Sequence, residues 1–222
     1  MSPEILRLIW EATLDTLWMV AIAASLATLL GLPLGVFLAT SGKGELFAAP
    51  IVNRALGFVV NATRSTPFII LVVAIIPFTR LLVGTSIGTK AAIVPLTIAA
   101  APFIARLIEG AIREVDQGLV EAARAMGASP LQIVRKVLVP EALPSIVLSL
   151  TLAVVSLIGF SAMVGAVGGG GLGDLGIRYG YQRFMPDVIA AVVLVLIVVV
   201  QVVQSLGDAL SRRLNKRIVR RA

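Results

Sequence analysis

The chain has no cysteine and no histidine. These absences exclude disulfides, thiol catalysis, histidine triads and His/Cys metal sites. Charge is also scarce: 14% of the 222 residues are Asp, Glu, Lys or Arg, where soluble domains carry about 25%. Apolar residues reach 58%, and the mean hydropathy is +1.01. Such a chain is not an ordinary soluble domain, a disordered segment or a nucleic-acid module, despite its net charge of +7. The composition predicts one membrane bundle over residues 1–222. Its 11 prolines and 20 glycines predict broken or kinked membrane helices.

A spanning helix needs about 20 mostly apolar residues. Residues 16–42 carry no charge, nor do residues 142–173 or 188–207. Residues 65–79 and 91–105 are shorter uncharged runs. They become long enough if Arg64 and Lys90 snorkel at their boundaries. We therefore expect an all-α membrane protein with five spans, at about 14–40, 56–78, 86–108, 142–166 and 187–208. An odd number puts the termini on opposite sides. Of the 19 Lys and Arg, fourteen fall on the side of the C-terminus, Lys43, Arg124, Arg135, Lys136 and the tail from Arg212 to Arg221 among them. The positive-inside rule then places the N-terminus outside and the C-terminus in the cytoplasm. The basic tail could also touch anionic lipid. Glu4, Glu11 and Asp15 do not fit the basic start of a signal peptide.

The segment 106–140 is the one sizeable extramembrane piece. Asp116 can cap a helix from Gln117 to Met126, and Gly127 stands where a left-handed residue ends one. Ser129, Pro130 and Gln132 form a capping box, opening a second helix expected to stop before Pro140. On pattern alone this loop, about 116–140, reads equally well as an amphipathic helix lying on headgroups. The residues carry more. Glu121, Ala122 and Ala123, then Gly127, then Val137, Val139 and Pro140 resemble the EAA loop of binding-protein-dependent ABC importer permeases. Asn61 to Phe68, Ile76 to Arg80, Gly84 to Gly88, Pro102 to Arg106 and Gly159 to Gly173 resemble the methionine-import permeases of that superfamily.

That resemblance implies a permease of the bacterial inner membrane, importing D- and L-methionine by alternating access. It implies a homodimer with a second copy of the chain, two ABC ATPase subunits and an extracytoplasmic methionine-binding protein. It makes Glu121, Ala122, Ala123, Gly127, Ser129, Pro130 and Pro140 the ATPase-coupling loop. ATP would be used by the partner, and the chain itself would hold no cofactor, catalytic residue or metal. Gly168 to Gly173 formally fits G-x-G-x-x-G, but no βαβ unit surrounds it. Gly84 to Lys90 lacks the glycine and hydroxyl residue of a phosphate loop. The nine glycines between Gly159 and Gly180 suggest close backbone packing or a hinge.

Ser145, Ser149, Ala153 and Ser156 share one face of the fourth span, either packing or lining a path. Phe160, Ser161 and Met163 lie farther out, as core filling or as a gate around a thioether. In the family resembled, the region of Arg64 lines the path, so Arg64, Ser156, Phe160, Ser161 and Met163 are the candidate gate and pathway residues. Arg106, Glu109 and Arg113 share a face that reads as solvated. The alternatives are a permease for another amino acid and an ion-coupled carrier, which would need midplane ionisable groups.

Overall fold

The computed structural model describes residues 2–215. The basic residues Lys216, Arg217, Arg220 and Arg221, and with them part of the expected lipid contact, lie outside the described residues. Helix α1, Pro3–Thr40, opens on Ser2, whose side chain accepts from the Ile5 N–H. It begins well before the expected span. Its first turns are held by an Arg7–Glu11 pair at 2.8 Å and by Ile9 and Ala12, which pack on Leu172, Leu175 and Val188.

The second expected span, 56–78, is not one straight helix. Helix α2, Pro50–Ser65, and helix α3, Phe68–Ala74, meet at a bend of 102°. Proline explains the break. Pro67 has no N–H to donate, and it biases Thr66 to extended backbone, φ −80° and ψ 125°. Pro77 then sits in the first turn of helix α4, Ile76–Val83, which ends on the left-handed Gly84. Among the described residues 4 helices are thus long and apolar enough to cross alone, or 5 with the bent pair taken as one span.

Helix α5, Thr89–Arg113, is the central post. On α1, Ala23, Ala27, Gly31, Gly35 and Ala39 recur every fourth residue and are all buried. Such a stripe lets two backbones approach closely. A Cβ on Gly31 would lie 2.7 Å from the Ala101 carbonyl oxygen, and one on Gly35 would lie 2.5 Å from that of Ala105. This seam between α1 and α5 forms the centre of the core, with Leu96, Ile104 and Ile108 on the α5 side.

Helix α6, Gln117–Ala125, and the turn of helix α7, Pro130–Ile133, follow at one end of α5. The second loop helix does not stop before Pro140. Val134–Leu138 is a π-helical turn that leads straight into helix α8, Val139–Gly165. The Val139 N–H bonds the Val134 carbonyl, five residues back. The widened turn makes room for the Pro140 ring and shifts the ladder before its missing donor. At the far end of α8 the chain doubles back. Gly165 lies against the backbone of Gly173 and Asp174, and Gly173 against Ala162, so a Cβ at either would meet main chain. Helix α9, Gly171–Leu175, is pinned by the Thr16 hydroxyl, which accepts from the Leu172 N–H at 2.8 Å. A π-helical stretch, Gly176–Tyr181, leads to the last span, α10, Pro186–Leu214.

Candidate functional site

Two sites emerge at different depths. The first is the surface built by α6, α7 and the start of α8. Asp116 caps α6, its carboxylate accepting from the Gly118 N–H at 2.7 Å. Gly127 has φ +78°. The Gly127 N–H bonds the Arg124 carbonyl at 2.9 Å, and the Ala128 N–H bonds that of Ala123 at 3.1 Å. This is the Schellman pattern, and Ala128 packs on the cluster that holds Ala123. Ser129 and Gln132 complete the expected capping box: Gln132 Oε1 accepts from the Ser129 N–H at 2.8 Å, and Ser129 Oγ accepts in return.

Val120, Ala123, Ile133 and Val134 anchor this turn in the main core. The opposite face is open. Glu121, Ala122, Ser129, Pro130 and Pro140 are exposed, and Met126 is 80% exposed. Leu119 and Leu131 are exposed beside it. Sequence reasoning did not single out these three apolar residues. The signal was present, since Leu119, Ala122 and Met126 sit three and four residues apart, on a stripe beside that of the buried Val120 and Ala123. Glu121 makes no ion pair among the described residues, and it borders a recess of about 210 Å³ with Lys43, Glu45 and Arg113.

Behind that surface, Glu109 is not on a solvated face as expected. It is 6% exposed and sits between two arginines. Arg106 Nη1 lies 2.5 Å from its Oε2, and Arg113 Nη2 lies 2.8 Å from its Oε1. Arg106 also donates to the Gly57 carbonyl at 3.0 Å, tying α2 to α5. The one-turn spacing of the three residues brings them together. Arg106 is half-buried and Arg113 exposed, so the burial falls on Glu109, which helical periodicity does not reveal.

The second site lies at the break between α2 and α3. Arg64 stands over the Phe103 ring, 5.9 Å from its centroid. Phe68 stacks on Phe160 at 4.6 Å and 16°. These residues, with Thr63 and Leu71, border a cavity of about 360 Å³. Phe103 is near the middle of α5, so Arg64 reaches deeper than the span boundary where its sequence position put it. Arg64 and Phe160 therefore converge, although 96 residues separate them. Ser156, one turn before Phe160, donates to the Leu152 carbonyl at 2.9 Å. Ser161 points elsewhere: it is 1% exposed and donates to the Ile158 carbonyl at 2.7 Å. Met163 is 49% exposed, outside the cavity lining. Ala153 is buried in the core, while Ser145 and Ser149 border a cleft with Arg106 and Glu114. The small-residue face of α8 thus divides between packing and an open cleft.

Residues 31–220 match the family described as binding-protein-dependent transport system inner membrane component. A Vibrio cholerae protein named probable D-methionine transport system permease protein MetI is 60% identical over 210 residues, covering 95% of this chain and 93% of the relative. A Pasteurella multocida protein of the same name is 49% identical, covering 98% of this chain and 100% of the relative. Among solved structures, a chain of the MetNI methionine ABC transporter in inward-facing conformations overlays with a TM-score of 0.95 at 47% identity. That overlay covers 97% of this chain and 100% of the other. With matches of this extent and closeness, the chain belongs to the family of binding-protein-dependent transport system inner membrane components.

Proposed function

We infer that this chain is the membrane-spanning permease subunit of an ATP-driven ABC importer for D- and L-methionine in a bacterial inner membrane. The carrying observation is the overlay, end to end, on a chain of a methionine ABC transporter. The 60% identical relative bears the same substrate in its name. ATP hydrolysis falls to a partner ATPase. The working assembly is a pair of these chains with two ATPase subunits, served by an extracytoplasmic methionine-binding protein. The Lys and Arg distribution supports an outside N-terminus and a cytoplasmic C-terminus.

The open face around α6 and α7 suits the ATPase contact. Apolar Leu119, Met126 and Leu131 supply area to bury, while Glu121 supplies an unpaired charge. Ala122 is small enough for close approach, and Ala123 fixes the turn to the core. The left-handed Gly127, the Ser129 box and Pro130 set the angle of that face. Through the π-helical turn at Pro140, a push on α7 passes directly into α8. At its other end α8 carries Phe160 and Met163 as gate residues, with Ser156 facing the path and Arg64 across from Phe160.

The test is co-purification. A tagged copy of this chain should draw down the ATPase, and the complex should hydrolyse ATP. The chain purified alone into lipid should not. Hydrolysis by the chain alone, or failure to capture an ATPase, would contradict the assignment.

A further inference from the structure

We propose that the cavity beside Arg64 is a transient binding station for the transported molecule, a zwitterionic α-amino acid with an unbranched apolar side chain. This rests on the importer reading and adds to it a site and a chemistry. Arg64 is exposed beside the middle of α5, and charged residues at the depth of a membrane span mark substrate or ion pathways. Arg64 has no carboxylate in ion-pair range among the described residues; its contact there is the face of Phe103. Its planar fork of donors is therefore free to take a carboxylate in two parallel hydrogen bonds.

The remaining walls match the rest of such a molecule. The Thr63 hydroxyl donates to the Val59 carbonyl at 3.0 Å, and the Thr66 hydroxyl to that of Ala62 at 3.2 Å. With their donors engaged, these two lining hydroxyls keep lone pairs that can accept from an ammonium group. Phe68, Phe160 and Leu71 form the apolar side. Sulfur and aromatic edges attract, so a thioether fits there better than a charged chain. A volume of about 360 Å³ is at the small end of ligand pockets, which run from about 300 to 1,000 Å³. The break between α2 and α3 brings Thr63, Arg64, Thr66, Phe68 and Leu71 to one cavity, and α8 adds Phe160.

The experiment uses the complete complex in proteoliposomes. The chain has no natural cysteine, so Ala99→Cys adds one thiol at the cavity wall, at a residue with no part in holding the ligand. Its labelling rate by a maleimide is followed on this subunit with and without L-methionine, and with L-methioninol, which lacks the carboxylate. L-methionine should slow labelling, and L-methioninol should not. In Arg64→Gln the L-methionine concentration giving half protection should rise about tenfold or more. Arg64→Lys, which keeps the charge and loses the fork, should fall between, and it covers the case in which the glutamine variant does not assemble. Equal protection by both ligands, no protection by L-methionine, or protection unchanged in both Arg64 variants would overturn the station. ATP-dependent L-methionine uptake by the unmodified complex, measured in the same preparation, keeps the outcomes separate. If uptake is absent the importer reading fails; if uptake stands without protection, the station alone fails.

Discussion

Replacing Gly127 by valine tests how the loop between the third and fourth spans presents itself. The residue holds φ +78°, and an added Cβ would meet nothing within 4 Å. The Cβ itself therefore meets no neighbour, and the penalty it carries is conformational. Holding a non-glycine residue in the left-handed region costs about 1–2 kcal/mol, and more for a β-branched one. The two Schellman bonds from Gly127 and Ala128 exist only in that geometry. If the ATPase recognises the face in this shape, the cost comes out of binding, so affinity should fall about 5- to 30-fold. Gly127→Asn should lose least, Gly127→Ala more and Gly127→Val most, since asparagine visits this region most readily. The spans form no part of this turn, so membrane level should stay normal. The assay is titration of purified ATPase onto the chain in nanodiscs, with membrane abundance measured alongside. Equal affinity for all three variants would refute the reasoning, as would a fall that ignores the Asn–Ala–Val order.

Gly35→Ala should force α1 and α5 apart, because its Cβ would lie 2.5 Å from the Ala105 oxygen and 2.7 Å from Ile108 Cβ. A loss of about 1–3 kcal/mol is expected as a lower thermal midpoint in detergent. Gly110→Ala, with open space at its Cβ, should leave that midpoint unchanged or slightly raised. Glu109→Leu leaves the half-buried Arg106 without its carboxylate, while Arg113 is exposed and can turn to water, so a cost of about 1–3 kcal/mol is expected; a midpoint equal to wild type would show that the cluster does not support the fold. For orientation, Gln182→Cys should react with an impermeant maleimide in intact cells and Ser129→Cys should not, both side chains being exposed in the fold.

Where a local rule carries the geometry, the sequence could be read directly. Asp116, Gly127 and Ser129 behave as their residue types demand, because a cap or a left-handed turn is settled within a few residues. The long apolar runs likewise announce α1, α5, α8 and α10. Errors arose where two local rules compete. The expected second span ran straight through Pro67, which instead breaks it by 102°, while Pro140 read as a stop and is absorbed by a π-helical turn. The difference is tertiary: Val134 and Leu138 are buried in the core and hold the helix together through Pro140. The stripe from Ala23 to Ala39 could have been found by its fourfold spacing and was not, because it lies inside an uninterrupted apolar run.

The pathway residues were legible as types and not as a place. Phe160 and Arg64 meet only because α2 breaks where it does, and Ser161 is lost to the core by one-residue rotation from Phe160. Glu109 shows the converse. Its pairing follows from helical spacing, while its burial is a matter of tertiary packing that spacing does not show.

Uptake by the rebuilt system tests the central claim most directly. The chain is reconstituted in proteoliposomes with its ATPase, with the methionine-binding protein supplied on the opposite face, and radiolabelled D- and L-methionine are followed. The account predicts accumulation that requires ATP, the ATPase and the binding protein together, and that survives collapse of proton and sodium gradients. Accumulation driven by an ion gradient without ATP, or ATP-driven accumulation of another amino acid with none of either methionine enantiomer, would contradict it.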